Sequence, residues 1–194
     1  MEKKEGNSQE MKRLAKKIEF LDNPEKRGDI PPEKLLKMLP IKKADSMLDL
    51  GAGTGYITIP AAKMVEGSVY ALDIDSNMLE VISSKAKKEN MTNVKPIKGS
   101  IDDIPLQDNS IDIALASLVL HEVQQLSHSL QQIKQVLKDD GYFVCIEFEK
   151  KDHPTDTHPR IASSVMEQEI KNAGLRVIQK LYPTDVIYMI IAKK

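Results

Sequence analysis

The chain has one cysteine, no tryptophan and only 4% aromatic residues, and neither sign of charge prevails: 28 Lys and Arg face 29 Asp and Glu among 194 residues, a formal net charge of −1. Each shortage excludes something. Cys145, alone in the apolar run GYFVCIEF, allows no intramolecular disulfide and no cysteine-rich metal site, which fits a reducing compartment. Balanced charge creates no overall basic field toward nucleic acid or anionic lipid. No window approaches the roughly 18 apolar residues of a membrane span. The start, MEKKEGNSQEMKRLAKKIEF, is charged from its second residue and lacks the apolar stretch of a signal peptide. These features predict a soluble cytoplasmic protein without nucleic-acid or membrane partners. The polar first dozen residues are predicted to be disordered.

From Ser46 onward, short apolar β-branched runs alternate with segments of helical period. SMLDL, SVYALDI, NVKPIKG, IDIALAS and GYFVCIEF read as strands; YITIPAAKMVEG, NMLEVISSKAKKEN, SHSLQQIKQVLKDDG and IASSVMEQEIKNAG read as helices. The tail, LRVIQKLY, a turn containing Pro183, then DVIYMIIAKK, reads as an antiparallel pair. The fold class is therefore α/β: a Rossmann-like, doubly wound, mostly parallel sheet of about seven strands, with helices on both faces and a ligand crevice at the strands' carboxyl ends. PPEKLLKMLPIKKAD reads as a further helix near the start, and residues 1–40 as a helical extension or lid, partly disordered, before a domain spanning 41–194.

The loop after the first strand carries Gly51, Gly53 and Gly55 behind Asp49, an acid followed by GxGxG. A strand, a glycine turn and a helix aim backbone N–H groups at a ligand. The dinucleotide fingerprint GxGxxG needs its third glycine at Tyr56, which disfavours a nicotinamide oxidoreductase, and the phosphate-cradling GxxxxGK[ST] pattern is absent. Asp73, 18 positions beyond Gly55, closes an otherwise apolar strand. A carboxylate there needs a partner, and the strand end faces the crevice.

LDLGAGTGY resembles the first motif of class I S-adenosylmethionine-dependent methyltransferases. VYALDIDSNMLE, GSIDDIPLQDNSIDIALASLVLHEV and LKDDGYFVCIEF are similar to that family's later motifs in the same order, over about Ile41 to Phe148. The resemblance implies S-adenosyl-L-methionine as cofactor. It sets the glycines against the methionine and ribose portion, Asp49 at the amino end and Asp73 on the ribose hydroxyls. It also sets Ile74 and Met78 against adenine, with the Ile101 N–H and Asp102 at its edge; Ser100 departs from the acid often found in that family. Met78 also reads as core, and Asp75, Ser76 and Asn77 as helix N-cap candidates.

The resemblance implies methyl transfer to a small-molecule acceptor under a lid, within the broad group that includes ubiquinone and menaquinone methyltransferases. No [DN]PP[YF] follows the fourth strand, and one cysteine argues against the arsenite enzymes. A base would serve a thiol or hydroxyl acceptor; the candidates are His121, Glu122 and Glu147, with His121 reading equally as a structural residue. His153 and His158, in the loop EKKDHPTDTHPR, read as solvated, and no metal site is expected. The alternative is a non-catalytic S-adenosylmethionine-binding module acting as a sensor or partner subunit.

Overall fold

A computed structural model describes residues 2–150 and 159–194 of the chain, with the side chains of 2–8 and 10 left aside. His153 and His158 lie outside the described residues, as does most of the predicted polar insertion.

Among the described residues, seven strands form one sheet in the order β3-β2-β1-β4-β5-β7-β6. β1 (Met47–Leu50), β2 (Val69–Asp73), β3 (Val94–Lys98), β4 (Ile111–Ser117) and β5 (Leu137–Phe148) run parallel. β7 (Ile187–Lys193) lies antiparallel to both β5 and the edge strand β6 (Arg176–Thr184). Alternate residues divide between two cores, as the period of two in a strand requires. Met47, Val69, Ala71, Ile113, Leu115, Val144 and Ile146 face the layer of α2 (Pro32–Leu36), α3 (Thr58–Ala62) and α4 (Ser76–Lys88). Leu48, Leu50, Ala114, Ala116, Phe143 and Cys145 face α5 (Leu126–Val136) and α6 (Ser163–Asn172). Strand order reverses between β2-β1 and β4, which opens a crevice at the carboxyl ends of β1 and β4.

α4 shows how sequence sets an element. The Asp75 carboxylate caps it by accepting the Asn77 N–H at 2.9 Å, Met78, Leu79, Ile82 and Ala86 bury one face, and Lys85, Lys87 and Lys88 suit the negative end of the dipole.

Four predicted boundaries move. α2 spans five residues, because Pro40 lacks the N–H a continuing helix needs. α5 stops at Val136, because Leu137 pairs with Ile111 and starts β5; the register shift before Tyr142 absorbs the KDDG segment predicted as helix. Pro183 sits inside β6, with the turn at Asp185 and Val186; it falls in the register break between Leu181 and Thr184 on an edge strand, where its missing N–H costs no ladder bond. At the start, α1 (Glu2–Asp22) runs through residues predicted to be disordered. Its Leu14, Ile18 and Leu21, spaced four and three apart, form a half-buried stripe that anchors a helix built largely from Glu, Lys, Met, Ala and Leu.

α1 crosses the carboxyl end of the sheet. Lys17 Nζ lies 2.7 Å from Asp75, Lys85 Nζ 2.9 Å from Asp22, and the Thr54 hydroxyl donates to Asp22 at 2.5 Å.

Candidate functional site

Gly51, Gly53 and Gly55 have φ values of +64°, +53° and +82°, the left-handed region in which a Cβ is strained. Their surroundings differ. A Cβ on Gly51 would stand 2.4 Å from Val119 Cγ2 and one on Gly55 3.0 Å from Ile82 Cγ1, so side chains of the fold itself require glycine there. A Cβ on Gly53 would meet Leu21 Cδ1 at 3.6 Å and the Gly51 carbonyl oxygen at 4.0 Å, ordinary contacts, so of the three only this position has room for one. Gly51→Ala is expected to cost about 2–4 kcal/mol, from left-handed strain plus overlap, read as a lower midpoint in urea unfolding.

Asp73, at the end of β2, is held by main-chain donors: the Gly53 N–H reaches Oδ2 at 2.7 Å and the Asp75 N–H reaches Oδ1 at 2.8 Å. A carboxylate accepts about four hydrogen bonds, so both oxygens keep capacity toward the crevice. Gly51, Gly53, Asp73, Ile74, Met78, Ile101 and Asp102 share the wall of one cavity of about 400 Å³. Met78 is fully buried there while Ile74 is 74% exposed, and one Asp102 oxygen accepts from the Ser129 hydroxyl. Two predicted residues are not on this wall. Gly55 packs against α4, and Asp49 lies beneath the glycine loop, where its Oδ2 accepts from the Thr58 hydroxyl at 2.6 Å.

Burial pushes the Asp49 carboxyl up to about 6, against the opposing pulls of the Thr58 hydrogen bond and the Arg27 charge. A carboxyl raised by folding contributes stability that is full below its ordinary value and lost as pH rises through the folded one. Asp49→Asn is therefore expected to gain on the order of 2–3 kcal/mol over the native chain between about pH 4 and about pH 7, measured by urea unfolding at both values.

A second cavity, of about 660 Å³, adjoins the first; Leu21, Arg27, Leu118 and Glu122 line both. His121 and Glu147 meet on its wall, with Nδ1 and Oε2 2.7 Å apart. Glu147, at the end of β5, is 2% exposed, and its Oε1 accepts the Val119 and Leu120 N–H groups at 3.0 and 2.8 Å. Glu147 is thus held by three partners and orients the ring, while Glu122 is 71% exposed and 3.8 Å from His121 Nε2. The hydrogen bond to Glu147 raises the His121 pKa, with burial opposing it. Nδ1–H donating to the carboxylate leaves Nε2 with the lone pair in the neutral ring. The same segment holds Leu118 at φ +57°, a strained position for a bulky residue, at the mouth shared by the two cavities.

Sequence reasoning missed Lys17, Leu21 and Arg27, which reach the site from the N-terminal segment. Their only signal was the reading of residues 1–40 as a lid. Among the described residues there is no cluster of three or more His, Cys, Asp or Glu able to hold a metal, and no helix long and apolar enough to cross a membrane.

A family described as "Methyltransferase domain" matches residues 41–189. The demethylmenaquinone methyltransferase of Geobacillus sp. (strain WCH70) is 35% identical over 117 residues, 59% of this chain and 50% of that protein. Its counterpart in Staphylococcus aureus (strain JH9) is 35% identical over the same length, covering 48% of that protein. The chain thus spans about half the length of the curated relatives it matches. A SAM dependent methyltransferase from Aquifex aeolicus superimposes with a TM-score of 0.83 at 28% identity, over 92% of this chain and 97% of that one. The [4+2]-cyclase SpnF, at a TM-score of 0.75 and 16% identity over 84% of this chain and 79% of its own, shares the fold alone.

Proposed function

Because the chain belongs to the methyltransferase domain family, with S-adenosylmethionine as its cofactor, we propose that it transfers that cofactor's methyl group to a small molecule held in the 660 Å³ cavity. One observation carries the reading: two cavities share a wall, with a pinned carboxylate, Asp73, in one and an oriented imidazole, His121, in the other.

The residues fit the cofactor. The spare acceptor capacity of Asp73 suits a ribose diol, Leu72, Met78 and Ile101 offer an apolar seat for adenine, and Gly53 leaves room beside the loop. When bound, the cofactor supplies a methyl group already activated on a sulfonium, so the protein's tasks are alignment, water exclusion and removal of one proton. His121 Nε2 takes the proton from an acceptor hydroxyl or thiol, and Glu147 is a positioning residue that fixes the tautomer and stabilises the imidazolium.

The acceptor we favour is a hydroxylated ring of quinol type. The names of the relatives support it, as do the apolar walls made by Phe20, Leu118, Phe148 and Val186. Loss of a ring hydroxyl proton makes either the oxygen or a ring carbon nucleophilic. Within the 1–40 segment, α1 acts as the lid of the site: Lys17–Asp75 and Asp22–Lys85 are part-exposed pairs worth under about 1 kcal/mol each, weak enough to part, while Ile30, Leu35 and Leu36 stay in the core. The test is incubation of the full chain with methyl-labelled cofactor and a panel of reduced naphthoquinones, phenols and thiols. Label in a quinol product is expected; no transfer to any member of the panel sinks the proposal.

A further inference from the structure

Arg27 is the last residue of a single 3-10 turn, Pro24–Arg27, and both ends of that turn are locked. The Asn23 side chain accepts the Glu25 N–H at 2.9 Å. At the other end Gly28, at φ +78°, returns its N–H to the Pro24 carbonyl, and a Cβ on Gly28 would stand 2.4 Å from Ile187 Cγ1 on β7. The side chain is therefore aimed by a rigid support into the wall common to both cavities. Its guanidinium lies on the Tyr56 ring, 4.5 Å from the centroid, and donates one long hydrogen bond, 3.3 Å, to the Ser117 hydroxyl.

A guanidinium carries five N–H donors in a fork that matches a carboxylate. Among the described residues Arg27 has no ion-pair partner. The acid whose charge acts on it most, Asp49, has its own hydrogen bond to Thr58. Burial lowers the Arg27 pKa more than the nearby charges of Asp49 and Asp22 raise it. A part-buried charge on a built support, with most donors unused and two ligand cavities beside it, is an incomplete pair.

We propose that Arg27 binds the carboxylate of a small molecule at the junction of the two cavities. This rests on the functional reading above. The carboxylate belongs either to the amino-acid end of the cofactor or to an acidic acceptor, and the chemistry that recognises it is the same: a bidentate, charge-assisted pair.

Calorimetric titration of the full chain separates the sources. The native protein, Arg27→Met and Arg27→Lys are titrated with S-adenosylhomocysteine, with 5′-methylthioadenosine, which lacks the amino-acid end, and with 4-hydroxybenzoate in the presence of methylthioadenosine. A loss of roughly 10- to 100-fold for S-adenosylhomocysteine in Arg27→Met, with methylthioadenosine unchanged within about twofold, assigns the cofactor carboxylate. The same loss confined to 4-hydroxybenzoate assigns the acceptor. Arg27→Lys keeps charge without the fork and falls between. Without ligand, Arg27→Met is expected to melt no lower than the native chain, since it removes an unmatched cation. No Arg27-dependent loss for either carboxylate overturns the proposal, as does a lowered melting point with all three ligands weakened alike, which marks a structural stack. Failure of the native chain to bind either adenosyl compound overturns the functional reading along with it.

Discussion

Asp73→Ala is expected to weaken binding of S-adenosylmethionine and its demethylated product by about 100-fold or more, because two charge-assisted hydrogen bonds to the ribose are lost together. The size of the effect follows from how the carboxylate is held. Gly53 and Asp75 N–H groups fix both oxygens at 2.7 and 2.8 Å, so no rotamer freedom is spent on binding. Asp73→Asn is expected to fail nearly as badly, since its amide nitrogen would face one of those two N–H donors. Calorimetry gives the affinities, and thermal unfolding without ligand separates lost contacts from a damaged loop. An Asp73→Ala protein that is folded and binds the cofactor at native strength removes the ribose assignment.

Turnover is expected to respond most at His121. Replacing it with Gln should lower kcat by about 10²- to 10⁴-fold, the usual worth of a positioned base, while leaving cofactor affinity unchanged. The pH dependence carries the sign. Glu147 raises the His121 pKa above 6.5, and only the neutral ring accepts a proton, so kcat rises with pH and levels off above that raised value. Glu147→Gln withdraws the charge; the inflection moves to lower pH and the plateau falls, because the tautomer is no longer enforced. For stability the same shift runs the other way. A histidine raised by folding stabilises fully below its unfolded pKa, and that contribution disappears as pH rises through the folded one. A pH–rate profile of Glu147→Gln that overlays the native curve excludes the pair from proton transfer.

The 400 Å³ cavity of the candidate site was largely legible in the sequence because its motifs are short. The acid closing VYALD, the glycines after MLDL and the N-cap at Asp75 are each recognisable from a few neighbouring residues, although Asp73 is also held by the Gly53 N–H, 20 positions away. The reason for the glycines was only half legible. Spacing shows that side chains are excluded at three positions, but not that Val119 and Ile82 do the excluding at Gly51 and Gly55. The central strands β4 and β5 were read well because short apolar runs buried on both faces have few other solutions. Ends were read poorly: whether Leu137 closes a helix or opens a strand depends on Ile111, 26 positions away, and whether Pro183 breaks β6 depends on its lying at the sheet edge.

By itself, then, the sequence determined the α/β class, the glycine loop, Asp73 and the candidacy of His121, since backbone preference and burial period operate at short range. Tertiary structure alone decided that Glu147 is a bracket for His121 rather than a free base, that Asp49 lies under the loop and off the cavity wall, and that Arg27 reaches the shared wall. The 660 Å³ cavity draws on residues near 20–29, 118–122, 147–149, 159–160 and 186. Such a set is assembled by sheet order and packing, which no short stretch of chain encodes.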